Sequence, residues 1–164
     1  MKNFFIFLFL IQTAIQYSGH TQINVNFSDG NFTNSPAWTG ETSNFIVSAE
    51  NQLQLLAPAV ADESYLTISS NIITNAQWSF YVKLEFNPSS SNYLDVYLVS
   101  DSENLKDPLN GYFVRIGNSQ DEICLYKQSG EKSGSTKIID GLDGRVNASL
   151  VEINILATKD QNNT

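Results

Sequence analysis

At 164 residues, 41% of them hydrophobic, the chain carries enough apolar side chain for one packed domain, which argues against disorder. Nine Lys and Arg against 17 Asp and Glu leave a net charge of -8, and no Lys or Arg occurs between Lys2 and Lys83. Without a basic cluster the chain cannot neutralise a row of phosphates, which argues against nucleic acid and anionic membrane surfaces as partners. One cysteine, Cys124, rules out an intrachain disulfide and a thiolate metal cluster.

The chain starts with Met1-Lys2-Asn3 and the apolar run Phe4 to Ile11, then turns polar at Gln12 and Thr13. That run is far short of the ~20 residues a membrane-spanning helix needs, so no transmembrane segment is expected. A positive start, a short apolar core and a polar exit predict a secretory signal peptide over residues 1–21, cut between Tyr17 and Gln22. The remainder, 22–164, is expected to be one exported domain, secreted or held at the cell surface. Cleavage after His20, the only histidine, would remove the usual general base and commonest metal ligand.

Ile23 to Phe27 reads as a short strand before the Ser28-Asp29-Gly30 turn, and Asn31 to Ser43 as a loop in which Trp38 either stacks on a ligand or packs as a lid over the sheet edge, with packing favoured. Phe45 to Val47 and Leu53 to Leu56 flank Glu50-Asn51 as a first hairpin, and Tyr65 to Ile68 returns as a strand. From Gln77 to Ser100 the alternation is clearest. Trp78, Phe80, Val82, Leu84 and Phe86 share one side; beyond Pro88 and a Ser-rich turn, Leu94, Val96 and Leu98 do the same. Period two places each set on one buried strand face, and the short polar connection predicts a hairpin. Further strands are expected at Tyr112 to Ile116, Glu122 to Lys127, Thr136 to Ile139 and Leu150 to Ala157, with Cys124 a small strand residue. Many short strands with closely spaced turns predict an all-β, antiparallel sandwich or barrel. Lys159 to Thr164 reads as a turn between strands, so the sandwich is expected to be incomplete at its C-terminus.

No catalytic residue emerges. Glu85 and Asp95, the best strand carboxylates, are isolated in sequence, whereas glycoside hydrolysis needs two carboxylates across one cleft. No phosphate-binding glycine loop, serine nucleophile elbow or histidine metal spacing occurs. The face opposite the core is more informative: Tyr81, Lys83, Glu85, Tyr93, Asp95, Tyr97, Phe113 and Arg115 are expected to present aromatic rings beside charged groups. Such rings stack on sugars or peptide groups while the charges orient them. The same residues also suit any half-exposed sheet. Asp29, Asn31, Asp62 and Glu63 place hard oxygen ligands in loops, a chemistry that suits calcium, although such loops form turns without metal as well. No other cofactor is expected.

Three segments together carry a family resemblance: NFSDGNFTNSPAWTGETSNFIV, WSFYVKLEFNPSSSNYLDVYLVSDSENL and LNGYFVRIGNSQDEICLYKQSG. From about Asn26 to Asp160 the chain resembles the N-terminal sandwich domain of large secreted or cell-surface bacterial proteins, often followed by lamin-tail and sorting domains. That domain is similar to a concanavalin A-like (laminin G-like) jelly roll. The resemblance implies export, a two-sheet fold, and a role in adhesion, glycan binding or surface assembly, with polysaccharide or other surface domains as partners. It transfers no catalytic residue. The function expected is therefore a non-catalytic recognition module; the alternatives are a purely structural domain and a polysaccharide-cleaving hydrolase.

Overall fold

The computed structural model describes residues 22–71 and 75–160; the expected leader over 1–21 lies outside them. Ten strands occur in this part of the chain: β1 (Thr39–Gly40), β2 (Phe45–Val47), β3 (Leu53–Leu55), β4 (Leu66–Thr67), β5 (Ala76–Leu84), β6 (Leu94–Ser100), β7 (Leu109–Ile116), β8 (Ile123–Gly130), β9 (Thr136–Ile139) and β10 (Val151–Lys159). Every pairing is antiparallel. The only helical turns among the described residues are two of the 3-10 kind, at Thr42–Asn44 and Lys132–Gly134. Of the sandwich and the barrel expected from the strand pattern, the all-β sandwich is the fold observed.

One sheet runs β6-β7-β8-β9; the other consists of β5 and β10, and the minor pairs β1-β4 and β2-β3 lie outside both. The core forms where the two main sheets face each other. Val82 and Leu84 of β5 and Val151 of β10 meet Val114 and Ile116 of β7. Phe80, Phe86, Leu94, Val96, Leu98, Ile123, Leu125, Ile153 and Ile155 pack around them. Along β5 the predicted alternation holds, with Val82 and Leu84 buried and Gln77, Ser79, Tyr81 and Lys83 exposed. Each fully buried aliphatic side chain contributes about 1.5–3 kcal/mol of transfer free energy. The segment between β9 and β10 adds Val146, only 1% exposed, to this core. It is tied down where Val146 N–H donates to the Asp121 carbonyl and Gly144 N–H to the Gln120 carbonyl.

Two expectations are corrected here. Ile23 to Phe27 forms no strand. The central hairpin does not exist either: β5 pairs with β10 in unbroken register from Leu84↔Val151 to Ala76↔Lys159, and β6 pairs with β7. The connection between β5 and β6 crosses from one sheet to the other. It closes on itself through Ser89 N–H to the Asn92 carbonyl at 2.8 Å, and its Pro88 is fully buried. Gly117, at φ +103°, follows β7 directly beneath this crossing; a Cβ there would lie 2.7 Å from the Pro88 Cβ. Alternation demands only that each strand bury one face, and strands on opposite walls of one core satisfy it as fully as hairpin partners.

Candidate functional site

Because β5 and β6 lie in different sheets, the eight residues expected on one face divide into two groups. Tyr81, Lys83 and Glu85 point outward from the β5-β10 sheet. Tyr93, Asp95, Tyr97, Phe113 and Arg115 point outward from the four-stranded sheet, on the opposite side of the core. The single ligand face is thus corrected to two faces with different chemistry.

The β5 face is an ordinary solvated surface. The Tyr81 hydroxyl donates to Glu152 Oε1 at 2.8 Å, and Lys83 Nζ lies 2.6 Å from Glu85 Oε1. Tyr81 is 44% exposed. The hydrogen bond to Glu152 pushes the Tyr81 phenol up, and the bond to Lys83 holds the Glu85 carboxyl down.

The other face is built from cross-strand rows. Register places Asp95 beside Arg115 and Arg115 beside Cys124, and in the next row Tyr97 beside Phe113 and Phe113 beside Tyr126. Phe113 is fully buried, so it cannot touch a ligand as the sequence pattern suggested. It forms the middle of a ring stack instead, 5.0 Å from Tyr97 and 5.2 Å from Tyr126, nearly parallel to the latter at 6°. The Arg115 guanidinium donates twice to Asp95, Nε to Oδ1 at 2.7 Å and Nη2 to Oδ2 at 2.8 Å. It lies 4.0 Å from the Tyr93 ring centre and 5.3 Å from those of Phe113 and Tyr126, the geometry of a cation over aromatic faces. Lys132, brought in by the 3-10 turn after β8, stands 3.1 Å from Asp95 Oδ2 and 3.2 Å from Glu63 Oε2, tethering the loop before β4. Burial opposes the charge of Arg115, but the bonds to Asp95 outweigh it and raise its pKa.

Tyr97 donates from its hydroxyl to Gln128 Oε1 at 2.6 Å, and Gln128 Nε2 donates to the Gly130 carbonyl at 2.8 Å. Burial pushes the Tyr97 phenol up to about 12. The far end of the face holds a second charge cluster. Lys137 Nζ sits 2.6 Å from both Glu122 Oε1 and Asp140 Oδ1, and Asn118 Nδ2 donates to Glu122 Oε1 at 2.8 Å. The Lys137 contact, above all, holds buried Glu122 down to about 2. Beside them, burial pushes the Cys124 thiol up to about 11, so it stays protonated and unreactive at neutral pH.

Ligand atoms of Glu122, Cys124 and Asp140 lie within 4.8 Å of one another. The Lys137 ammonium already supplies the positive charge between the two carboxylates. The oxygen set considered for calcium is not assembled. Asp29 and Asn31 line a polar hollow between residues 24 and 36 and accept turn hydrogen bonds from Asn31 and Thr33 N–H groups. Asp62 and Glu63 do not line that hollow; they face Lys106 and Lys132. Trp38 packs against Phe27 with ring centres 6.3 Å apart.

Tyr126, Gln128, Glu122, Lys132 and Lys137 were absent from the sequence-derived set. Extending the period-two reading to β8 would have found Glu122, Tyr126 and Gln128, which alternate with Ile123, Leu125 and Lys127. The two lysines carry no such signal, since turns and an edge strand bring them in. These features define an all-β, antiparallel two-sheet protein with one polar-aromatic sheet face. Comparison with protein-family models, curated proteins and solved structures finds no match.

Proposed function

We propose that this chain is an exported, non-catalytic β-sandwich module of the concanavalin A-like jelly-roll kind, part of a secreted or cell-surface protein, and that it binds carbohydrate. The carrying observation is the Arg115 guanidinium laid over Tyr93 and held by Asp95 on the neighbouring strand, beside the half-buried Tyr97 and Tyr126. Rigid rings flanked by oriented N–H and O–H donors match the alternating apolar faces and hydroxyl edges of a sugar. The hydrolase reading loses support, because Glu85 and Asp95 stand on opposite outer faces and share no cleft. A purely structural domain would leave the Tyr93 side replaceable without effect.

Titration of the full chain against a panel of soluble polysaccharides, followed by calorimetry, separates these readings. Tyr93→Ala is expected to weaken binding roughly tenfold, with Tyr93→Phe restoring most of it, while Tyr81→Ala leaves affinity unchanged. Equal affinities for Tyr93→Ala and the parent chain would move the site off this face. Failure of every polysaccharide to bind would favour the structural domain.

A further inference from the structure

The charges on the Arg115 face narrow the ligand further, and this step rests on the carbohydrate reading above. Three cations stand on or over this face, and each is already matched by carboxylate. Arg115 takes both oxygens of Asp95, Lys132 bridges Asp95 and Glu63, and Lys137 bridges Glu122 and Asp140. Asp95 is nearly sealed from solvent, its side chain 6% exposed against 18% for Arg115. An incoming carboxylate or sulfate that took the Nε and Nη2 donors would have to displace Asp95, held at 2.7 to 2.8 Å in a poorly solvated position, and one that used the remaining donors would lie against that buried carboxylate. The four carboxylates exceed the three cations, and the chain as a whole carries -8, so polyanions also meet long-range repulsion. An ammonium ligand meets the converse problem, since Lys132 and Lys137 already sit against these carboxylates.

Hydrogen-bonding groups for a neutral ligand remain available. Arg115 has five N–H donors and gives two of them to Asp95, so the rest can serve hydroxyl oxygens without any anion. The Tyr93 hydroxyl has no hydrogen-bond partner among the described residues, and Tyr126 Oη accepts only a long contact of 3.5 Å from Asn118. We infer that the ligand of this face is a neutral polysaccharide, an uncharged hexose chain without carboxylate, sulfate, phosphate or amine, bound by ring stacking and hydroxyl hydrogen bonds.

The test sets neutral polysaccharides (dextran, mannan, galactan) against charged ones (polygalacturonate, dextran sulfate, chitosan), each titrated with the full chain in low and high sodium chloride. Retention of a neutral member, with affinity changing less than about twofold between ~0.1 and ~1 M salt, is the expected result, because no ion pair is exchanged on binding. Preference for an acidic or basic polysaccharide, with affinity falling more than about tenfold over that range, would overturn the neutral assignment and leave carbohydrate binding standing. Silence across the whole panel would overturn both.

Discussion

The two outer faces of this sandwich arise from equally regular alternating strands, yet they behave as different materials. On the β5-β10 side, Tyr81, Lys83 and Glu85 pair locally with neighbours and remain in water, where such contacts contribute little. On the β6-β7-β8 side the equivalent positions form a closed lattice of stacked rings and ion pairs, with Phe113 and Gln128 fully buried. The difference lies in what surrounds each strand. Among the described residues β5 has one neighbour in its sheet, whereas β7 is flanked on both sides and lies beside Asp95 of β6, over which Lys132 and Glu63 reach. Outward direction in a strand is therefore not the same as exposure.

Substitutions on the two faces should separate accordingly. Phe113→Ala is expected to cost about 3–5 kcal/mol in urea or thermal unfolding, since it empties the middle of the ring stack. A loss below about 1 kcal/mol would mean that the face is not packed as described. Asp95→Ala comes next, at about 3 kcal/mol, because it strands Arg115 beside a half-buried surface and leaves Lys132 with Glu63 alone. Glu122 adds a pH signature. Its carboxyl is held at about 2 in the fold, below its ordinary range near 4.5, so its contribution is complete above about pH 4.5 and fades as pH falls towards 2. Unfolding curves for Glu122→Gln should accordingly show a shallower acid limb than the parent chain over that window. At the small end, Tyr81→Ala on the opposite face should shift stability by no more than about 0.5 kcal/mol. If it equalled Phe113→Ala, the contrast between the faces would fail.

Much of this was legible before any coordinates. The hairpin of β2 and β3 and the inner faces of β5, β6 and β10 follow from period two, and Cys124 lies within a strand as expected. The candidate site was legible only in part. Asp95, Tyr97 and Arg115 belong together as expected, with Tyr93 stacked beside them, whereas Tyr81, Lys83 and Glu85 do not join them. Phe113 was placed on the correct face but in the wrong environment.

Alternation alone determined that this chain folds as antiparallel β and which side of each long strand meets the core, because side-chain direction in a strand is a local property of the backbone. Tertiary structure alone decided which strands share a sheet. Pairing β5 with β10 rather than β6 leaves every inner face unchanged, so no local pattern distinguishes the two arrangements. That choice sent Tyr81 and Arg115 to opposite sides of the protein. It left the stacked guanidinium, its paired acid and the flanking tyrosines as the face on which a ligand is to be sought.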